Sequence, residues 1–327
     1  MDKYNWFLAA MGNVQQGINA EYMPILRDFI VTRQISGQIL NSCQMAHSEA
    51  PDPISVAILK ERAAYTSDET LAQGLNSTAG AGYLTAVSDG KFKLTEKGEA
   101  LTREIIQAIV TAAQEVTPLP EAEMARLANY IHRLRNACLN ADTPFKACLK
   151  RSMFFDQGDA SPVAEKIRRG LNDLAAFRDD AHLASWANLD VTGPAWDAFS
   201  HIWGEKVYGD PVNTAEQLAQ KMSFHGFSAE AYAKQLQPLV VRGWLTLTDD
   251  VYAITKEGQA VRWQAERDTD QLFYQGWDLS DEEMADMKQL MEALITAVTP
   301  PDNNTLYEQT LLTRAKIGAL YGEKLQN

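Results

Sequence analysis

The sequence predicts a mainly α-helical fold with small β-ribbons, built as two repeats of one unit, and three observations carry that expectation. The first is internal similarity. Gly82-Tyr83-Leu84-Thr85 returns as Gly243-Trp244-Leu245-Thr246, and Leu94-Thr95-Glu96-Lys97-Gly98-Glu99-Ala100 returns as Ile254-Thr255-Lys256-Glu257-Gly258-Gln259-Ala260. Leu119-Pro120-Glu121-Ala122-Glu123-Met124 likewise returns as Leu279-Ser280-Asp281-Glu282-Glu283-Met284. The order is kept and the offset is 160 or 161 residues throughout, the mark of a duplication. The second observation is the glycine, aromatic and leucine closing a helix-period stretch in each copy, the usual hand-over from helix to strand. The third is the Leu-Thr-x-x-Gly or Ile-Thr-x-x-Gly step that leads each copy into another helix.

Each element has a local reason. In the first copy the run around Ile54 to Ala64 opens a helix-turn-helix, and Ser67 caps its second helix, with Leu71, Leu75, Thr78 and Ala79 at helical spacing. Asp89-Gly90 then supplies a tight hairpin turn, because both residue types accept positive φ. Leu101, Ile105, Ile106, Ile109 and Val110 form a broad apolar stripe on the next helix. The acidic block that opens the last helix suits the positive helix end. In the second copy Asn213-Thr214-Ala215-Glu216-Gln217-Leu218 reads as a capped first helix, and Ser228 caps a second helix that buries Tyr232, Leu236, Leu239 and Val240. Its hairpin turn is Asp249-Asp250, and the one-residue change in offset falls between Thr85 and Leu94, where a turn absorbs it. Pro162, after Gly158-Asp159-Ala160-Ser161, marks the boundary, which gives domains at 1–160 and 161–327.

At 327 residues the chain has room for two ordinary domains, each able to bury a core, and 46% hydrophobic with 22% charged residues is a globular composition. No apolar run reaches bilayer length and the start carries no signal pattern, so a cytoplasmic protein without a membrane segment is expected. Cys43, Cys138 and Cys148 form neither a disulfide framework nor a zinc spacing, and the five histidines make no metal pattern. No phosphate loop, dinucleotide loop or nucleophile elbow is present, so no enzyme, cofactor or metal site is expected. Glu282-Glu283 and Asp249-Asp250 sit at a helix start and a turn, where acidic residues have structural work.

In this order of elements the sequence resembles one protomer of the MarR-type winged-helix regulators over residues 50–135, and again over 210–295. The tandem resembles their dimer written as a single chain. The resemblance implies DNA binding: reading helices at 67–81 and 228–242 enter the major groove, and wing tips at Asp89-Gly90-Lys91 and Asp249-Asp250-Val251 lie by the minor groove. The residues it assigns to DNA are Ser67, Gln73, Asn76, Lys91, Lys93, Ser228, Lys234, Gln235 and Arg242. It also implies that small acidic or phenolic effectors bind between lobes. Because the copies can pair with each other, a monomer or weak dimer is expected.

Charge pulls the other way. The formal net charge is −13, whereas nucleic-acid affinity comes largely from Lys and Arg displacing counterions. The first reading helix has Asp68 and Glu69 and no basic residue, and the second wing tip is acidic. Gly74 and Gly80 weaken the first reading helix by about 1 kcal/mol each, and Pro238 is expected to kink or shorten the second at about 3 kcal/mol. The densest basic stretch is central, with Arg126, Arg133, Arg135, Lys146, Lys150 and Arg151; it reads either as a phosphate footprint or as a solvated face of an amphipathic helix. Six of the seven tryptophans lie in the second copy and its lead-in, as core residues or, for Trp196 and Trp203 with Phe199, as the lining of a pocket between lobes. Three readings follow: a ligand-responsive, regulator-like DNA-binding protein, an acidic winged-helix module that contacts a protein partner, and a small-molecule sensor.

Overall fold

The computed structural model describes residues 4–155, 158–208 and 212–298. The first half runs α1 (Asn5–Thr32), α2 (Gly37–Glu49), β1 (Ile54–Ser55), α3 (Val56–Lys60), α4 (Asp68–Gly80), β2 (Leu84–Ser88), β3 (Lys91–Leu94), α5 (Glu96–Ala113) and α6 (Glu121–Asn140). A connector carries α7 (Ala147–Met153). The second half runs α8 (Val163–Trp186), α9 (Gly193–Tyr208), α10 (Ala215–Lys221), α11 (Ala229–Val241), β4 (Leu245–Thr248), β5 (Val251–Ile254), α12 (Lys256–Tyr274) and α13 (Asp281–Val298). The fold is therefore mainly α with small antiparallel ribbons, a winged-helix arrangement. Among the described residues no helix is long and apolar enough to cross a membrane.

The recurring motifs do the same physical work at both places. Ser67 and Ser228 cap α4 and α11 by accepting from Thr70 N and Ala231 N, and both helices are 13 residues long. Gly82 (φ +79°) and Gly243 (φ +74°) then turn the chain out of each helix in a conformation that suits glycine. Thr95 and Thr255 cap α5 and α12, and their hydroxyls also donate back to Gly82 O (2.8 Å) and Gly243 O (2.6 Å). A Cβ at Gly98 would overlap the Tyr83 carbonyl oxygen, and one at Gly258 the Trp244 carbonyl oxygen. The Thr-x-x-Gly motif is thus a clamp: the threonine ties the strand's start to the helix, and the glycine lets the two backbones close.

The ribbons differ in their turns. In the first lobe β3 lies between β1 and β2, and the β2–β3 pairing carries an irregularity between Ala86 and Ser88 before Gly90 (φ +65°). In the second, β4 and β5 pair in regular register, and Asp249 (φ +49°) and Asp250 (φ +62°) both occupy the left-handed region that a two-residue hairpin demands. In place of a third strand, Tyr252 N donates to Asn213 O at 2.8 Å. Pro238 lies inside α11, which nevertheless runs on to Val241, so the expected shortening does not occur. Gly74 is buried where α4 meets Gln38 of α2.

Each winged lobe has its own apolar cluster: Ile54, Leu75, Leu84 and Phe92 in the first, and Trp196, Phe199, Tyr232, Leu236 and Tyr252 in the second. The largest cluster belongs to both halves. Phe7, Val14 and Ile18 of α1 and Leu127, Ile131 and Leu134 of α6 pack with Ile167, Leu171 and Phe177 of α8 and with Met287, Met291 and Leu294 of α13. A cut at residue 160 would divide this core rather than separate two closed ones. Where α6 meets α13, Arg126 grips Asp286 through Nε (2.7 Å) and Nη2 (3.2 Å), two positions that correspond under the 160-residue offset. Tyr130 Oη donates to the same carboxylate at 2.9 Å.

Candidate nucleic-acid interface and the cavity beside it

The nine residues assigned to DNA by resemblance fall into three groups. Gln73 and Asn76 on α4, Lys91 and Lys93 on β3, and Lys234 on α11 present themselves to solvent. Ser67 and Ser228 are engaged as helix caps. Gln235 and Arg242 are tied at the surface to the segment before α9: Thr192 Oγ1 donates to Gln235 Oε1 at 2.5 Å, and Arg242 donates to Leu189 O (2.5 Å), Asp190 O (2.7 Å) and Asp190 Oδ2 (2.9 Å). Helix α11 therefore keeps Lys234 free at the surface, while the arginine that caps its end, also at the surface, is tied to residues 189–190. The difference arises in tertiary structure, since side-chain type alone says nothing about residues 189–192.

The turn before α4 and the turn before α11 touch each other. Ser67 N donates to His225 O at 2.8 Å, and Thr66 Oγ1 shares a hydrogen bond of 2.9 Å with His225 Nδ1. His225 Nε2 faces Asp197 Oδ2 at 3.4 Å. Reading turns that enter successive major grooves sit one duplex turn apart, about 34 Å. A helix of 13 residues is only roughly 20 Å long. With the turns before α4 and α11 in contact, the N-terminal turns of these two helices cannot be that far apart in this arrangement.

The central basic stretch is neutralised within the molecule. Arg133 pairs with Glu283 (2.5 Å), Arg135 with Asp173 (3.6 Å) and Arg168 with Glu165 (2.6 Å), while Arg151 pairs with both Glu49 and Glu61. Lys146 donates to Leu139 O at 2.7 Å. These pairs tie α6 to α8 and α13, and α7 to α2 and Glu61, with Arg135 and Arg151 buried, so the stretch balances acidic neighbours within the protein rather than forming a phosphate footprint.

Beside the contact of the two turns lies a cavity of about 490 Å³ drawn from both halves, with Arg62 and Tyr65 from the α3–α4 turn, Arg178 and His182 from α8, Trp196 and Asp197 from α9, and Arg262 from α12. That volume lies within the range of small-ligand sites. Of the three pocket residues expected from sequence, Trp196 lines it; Phe199 and Trp203 are buried in the core of the second lobe behind it. The Arg262 guanidinium lies over the Trp203 ring at 4.6 Å and the Trp196 ring at 5.5 Å.

The polar wall is ordered by a few strong contacts. Trp196 Nε1 donates to His182 Nε2 (3.2 Å), which fixes that nitrogen as an acceptor and leaves the proton on Nδ1, toward Thr269 Oγ1 at 3.4 Å. Burial, seconded by Arg262, pushes the His182 pKa down to about 4, so the ring is neutral at pH 7. Burial pushes Glu266 up, but Arg262 and Arg178 outweigh it and hold that carboxyl at about 2. Arg262 meets Glu266 at 2.7 Å, and Arg178 meets Glu266 (3.5 Å) and Asp270 (3.2 Å). Burial lifts Asp197 to about 6, and burial also lifts Asp179 against the pull of Arg62. The walls thus combine three guanidinium groups, two of them paired with Glu266 and Asp270, with the carboxyls of Asp179 and Asp197, an aromatic face and an imidazole whose two nitrogens are both engaged. Arg62, Tyr65, Arg178, His182 and Arg262 escaped the sequence reading. A local signal was the Arg-x-x-x-Glu pair, Arg262 and Glu266, on the helix after the second Thr-x-x-Gly step.

Among the described residues no group of three or more His, Cys, Asp or Glu side chains is placed to hold a metal ion. No curated protein and no solved structure matches the chain. Residues 174–302 match the model of a helix-turn-helix family, so the second half, from within α8 through α13, contains a helix-turn-helix domain.

Proposed function

We propose that the chain is a regulator-like DNA-binding protein, a single-chain pseudo-dimer of winged-helix units at 1–160 and 161–327, held in a closed arrangement and responsive to a small organic acid in the cavity between its lobes. One observation carries the reading: the cavity and the contact between the reading helices share their walls. Tyr65 lines the cavity and Thr66, the next residue, bonds His225; Asp197 lines the cavity and faces the same histidine. An occupant of the cavity therefore acts on the spacing of the reading helices, which decides whether they can span a duplex. The helix-turn-helix match supports the DNA partner, and the pairing of Arg126 with Asp286, corresponding positions of the repeat, supports a pseudo-twofold between α6 and α13.

The test is a genome-wide duplex pull-down with the purified full-length chain. Enrichment of one short motif at low micromolar protein is the expected result. Recovery without a motif that vanishes at modest salt would leave only nonspecific charge contacts and overturn the reading.

A second reading has its own observation. Gln235 and Arg242 face residues 189–192, the second wing tip is Asp249-Asp250, and Val241, Leu247 and Val251 are exposed around it. That lobe suits a protein partner better than a polyanion. A pull-down that yields no DNA motif but a stoichiometric protein partner, whose binding Val241→Asp abolishes, would favour it.

A further inference from the structure

The contact between the two turns is built more deliberately than a chance touching of loops. On the first side, Lys60 Nζ donates to Thr66 O (2.7 Å) and pairs with Asp68 (3.3 Å), which fixes the α3–α4 turn. On the second, His225 N donates to Met222 O (2.9 Å) and Gly226 N to Ser223 O (3.1 Å). Two glycines of the second half then make room for the first. Gly226 has φ +77°, and a Cβ there would overlap Thr70 Oγ1 and crowd Ser67 Oγ; a Cβ at Gly193 would overlap the Ala64 carbonyl oxygen. Gly193 thus lies against backbone and Gly226 against two hydroxyl side chains, close approaches that a side chain at either glycine would obstruct. Between them His225 bridges the halves, with Thr66 Oγ1 on Nδ1 and Asp197 facing Nε2, and the Tyr65 ring stands 6.3 Å from the imidazole.

We propose that the α3–α4 turn and the α10–α11 turn form a latch, keyed by His225 and by the bare backbones of Gly193 and Gly226, that holds the two reading helices together. The latch deepens the regulator reading and rests on it only for the consequence at DNA. Its geometry is a property of the protein alone. Closed, it keeps the first turns of α4 and α11 side by side; open, it lets them separate toward one duplex turn.

The experiment is a distance measurement by pulsed electron resonance on the full chain, with nitroxides on Gln73→Cys and Lys234→Cys, both exposed positions on the two reading helices. The native cysteines are buried and do not compete for label. The otherwise unmodified protein should give one short, narrow distance. Gly226→Ala should give a longer and broader one, and Thr70→Ala added to it should recover part of the short population. Gly226→Ala also strains a positive-φ position, so His225→Ala is the second probe: it removes the imidazole's bond to Thr66 across the halves and its contact with Asp197, keeps the Ser67 N bond to the residue 225 carbonyl, adds no atoms, and should broaden the distance as well. Distances unchanged in both folded variants overturn the latch, whatever happens with DNA. Opened variants that bind no duplex leave the latch standing and count against the DNA reading instead.

Discussion

The two winged lobes share a frame and differ in what the frame presents. Serine cap, positive-φ glycine, short ribbon and Thr-x-x-Gly clamp recur in both, with the clamp threonine bonding the same two carbonyls. The first lobe adds β1 as a third strand and carries Lys91 and Lys93 on its wing. The second replaces that strand with a single backbone bond, turns its wing on two aspartates and folds Arg242 onto residues 189–190. The frame is set by backbone requirements, which tolerate few substitutions. The presented surface is set by side chains, which can diverge without cost to the fold.

The sharpest way to break this comparison is through the core the halves share. Phe177 is fully buried beside Phe273, and Phe177→Ala should cost about 3–5 kcal/mol. Because that core joins α1 and α6 to α8 and α13, both halves should melt together at a lower temperature, by calorimetry and by tryptophan fluorescence alike. A second-lobe tryptophan transition that stays in place while the rest unfolds would show two independent domains.

His182 gives a pH signature. Its pKa of about 4 in the folded chain lies below the usual 6.5, so as pH falls below 6.5 the unfolded chain takes up the proton first. The stability this group supports is complete at neutral pH and is lost between 6.5 and about 4, on the order of 3 kcal/mol at most. His182→Gln should flatten the fall in denaturation free energy over that window relative to the parent. Asp197, lifted to about 6, has the opposite sign and gains stability on protonation, so Asp197→Asn should steepen the same fall. An unchanged profile in both would remove this account of the cavity wall.

The clamps and turns come next. Gly98→Ala and Gly258→Ala each force a methyl against a backbone carbonyl and should cost roughly 1–3 kcal/mol, alike in the two lobes. A loss in one lobe alone would show that the motif does different work in each. At the second wing Asp250→Gly relieves a left-handed residue and should stabilise by up to about 1 kcal/mol, read as a raised midpoint in urea. No gain there would mean the aspartate makes a local bond that offsets the strain.

Much of the frame was legible because its causes are local. Ser67, Ser228, Thr214, Gly82 and Gly243 carry out the roles their chemistry implies within a few residues of themselves. Even Asp249-Asp250, with no glycine to ease the turn, forms the expected hairpin. Pro238 shows the limit of local reasoning, since α11 continues past it within a packed lobe. The long helices α1, α8 and α9 left no repeat signature, and the role of α1 and α8 emerges only where they meet α6 and α13. The cavity was hidden for the same reason: its walls come from α8, α9, α12 and the α3–α4 turn, and no spacing in the sequence brings Arg62, Arg178 and Arg262 together. Of the three residues expected to line a pocket, Trp196 borders this cavity and Phe199 and Trp203 lie in the core behind it. The tie of Arg242 to residues 189–190 and the meeting of Thr66 with His225 are likewise long-range outcomes.

That this fold reads DNA through unequal lobes is tested most directly by a fluorescence-anisotropy titration across a salt series. The duplex is the motif recovered by the pull-down, and the proteins are the parent, Lys91→Ala on the first wing and Lys234→Ala on the second reading helix. Each loss should weaken binding to matched and scrambled duplexes alike and flatten the dependence of log affinity on log salt by about one charge. Val251→Lys, which adds a base to the acidic second tip, should strengthen binding. If all three variants titrate like the parent, these wings and helices are not a DNA surface, and the protein-contact reading takes their place.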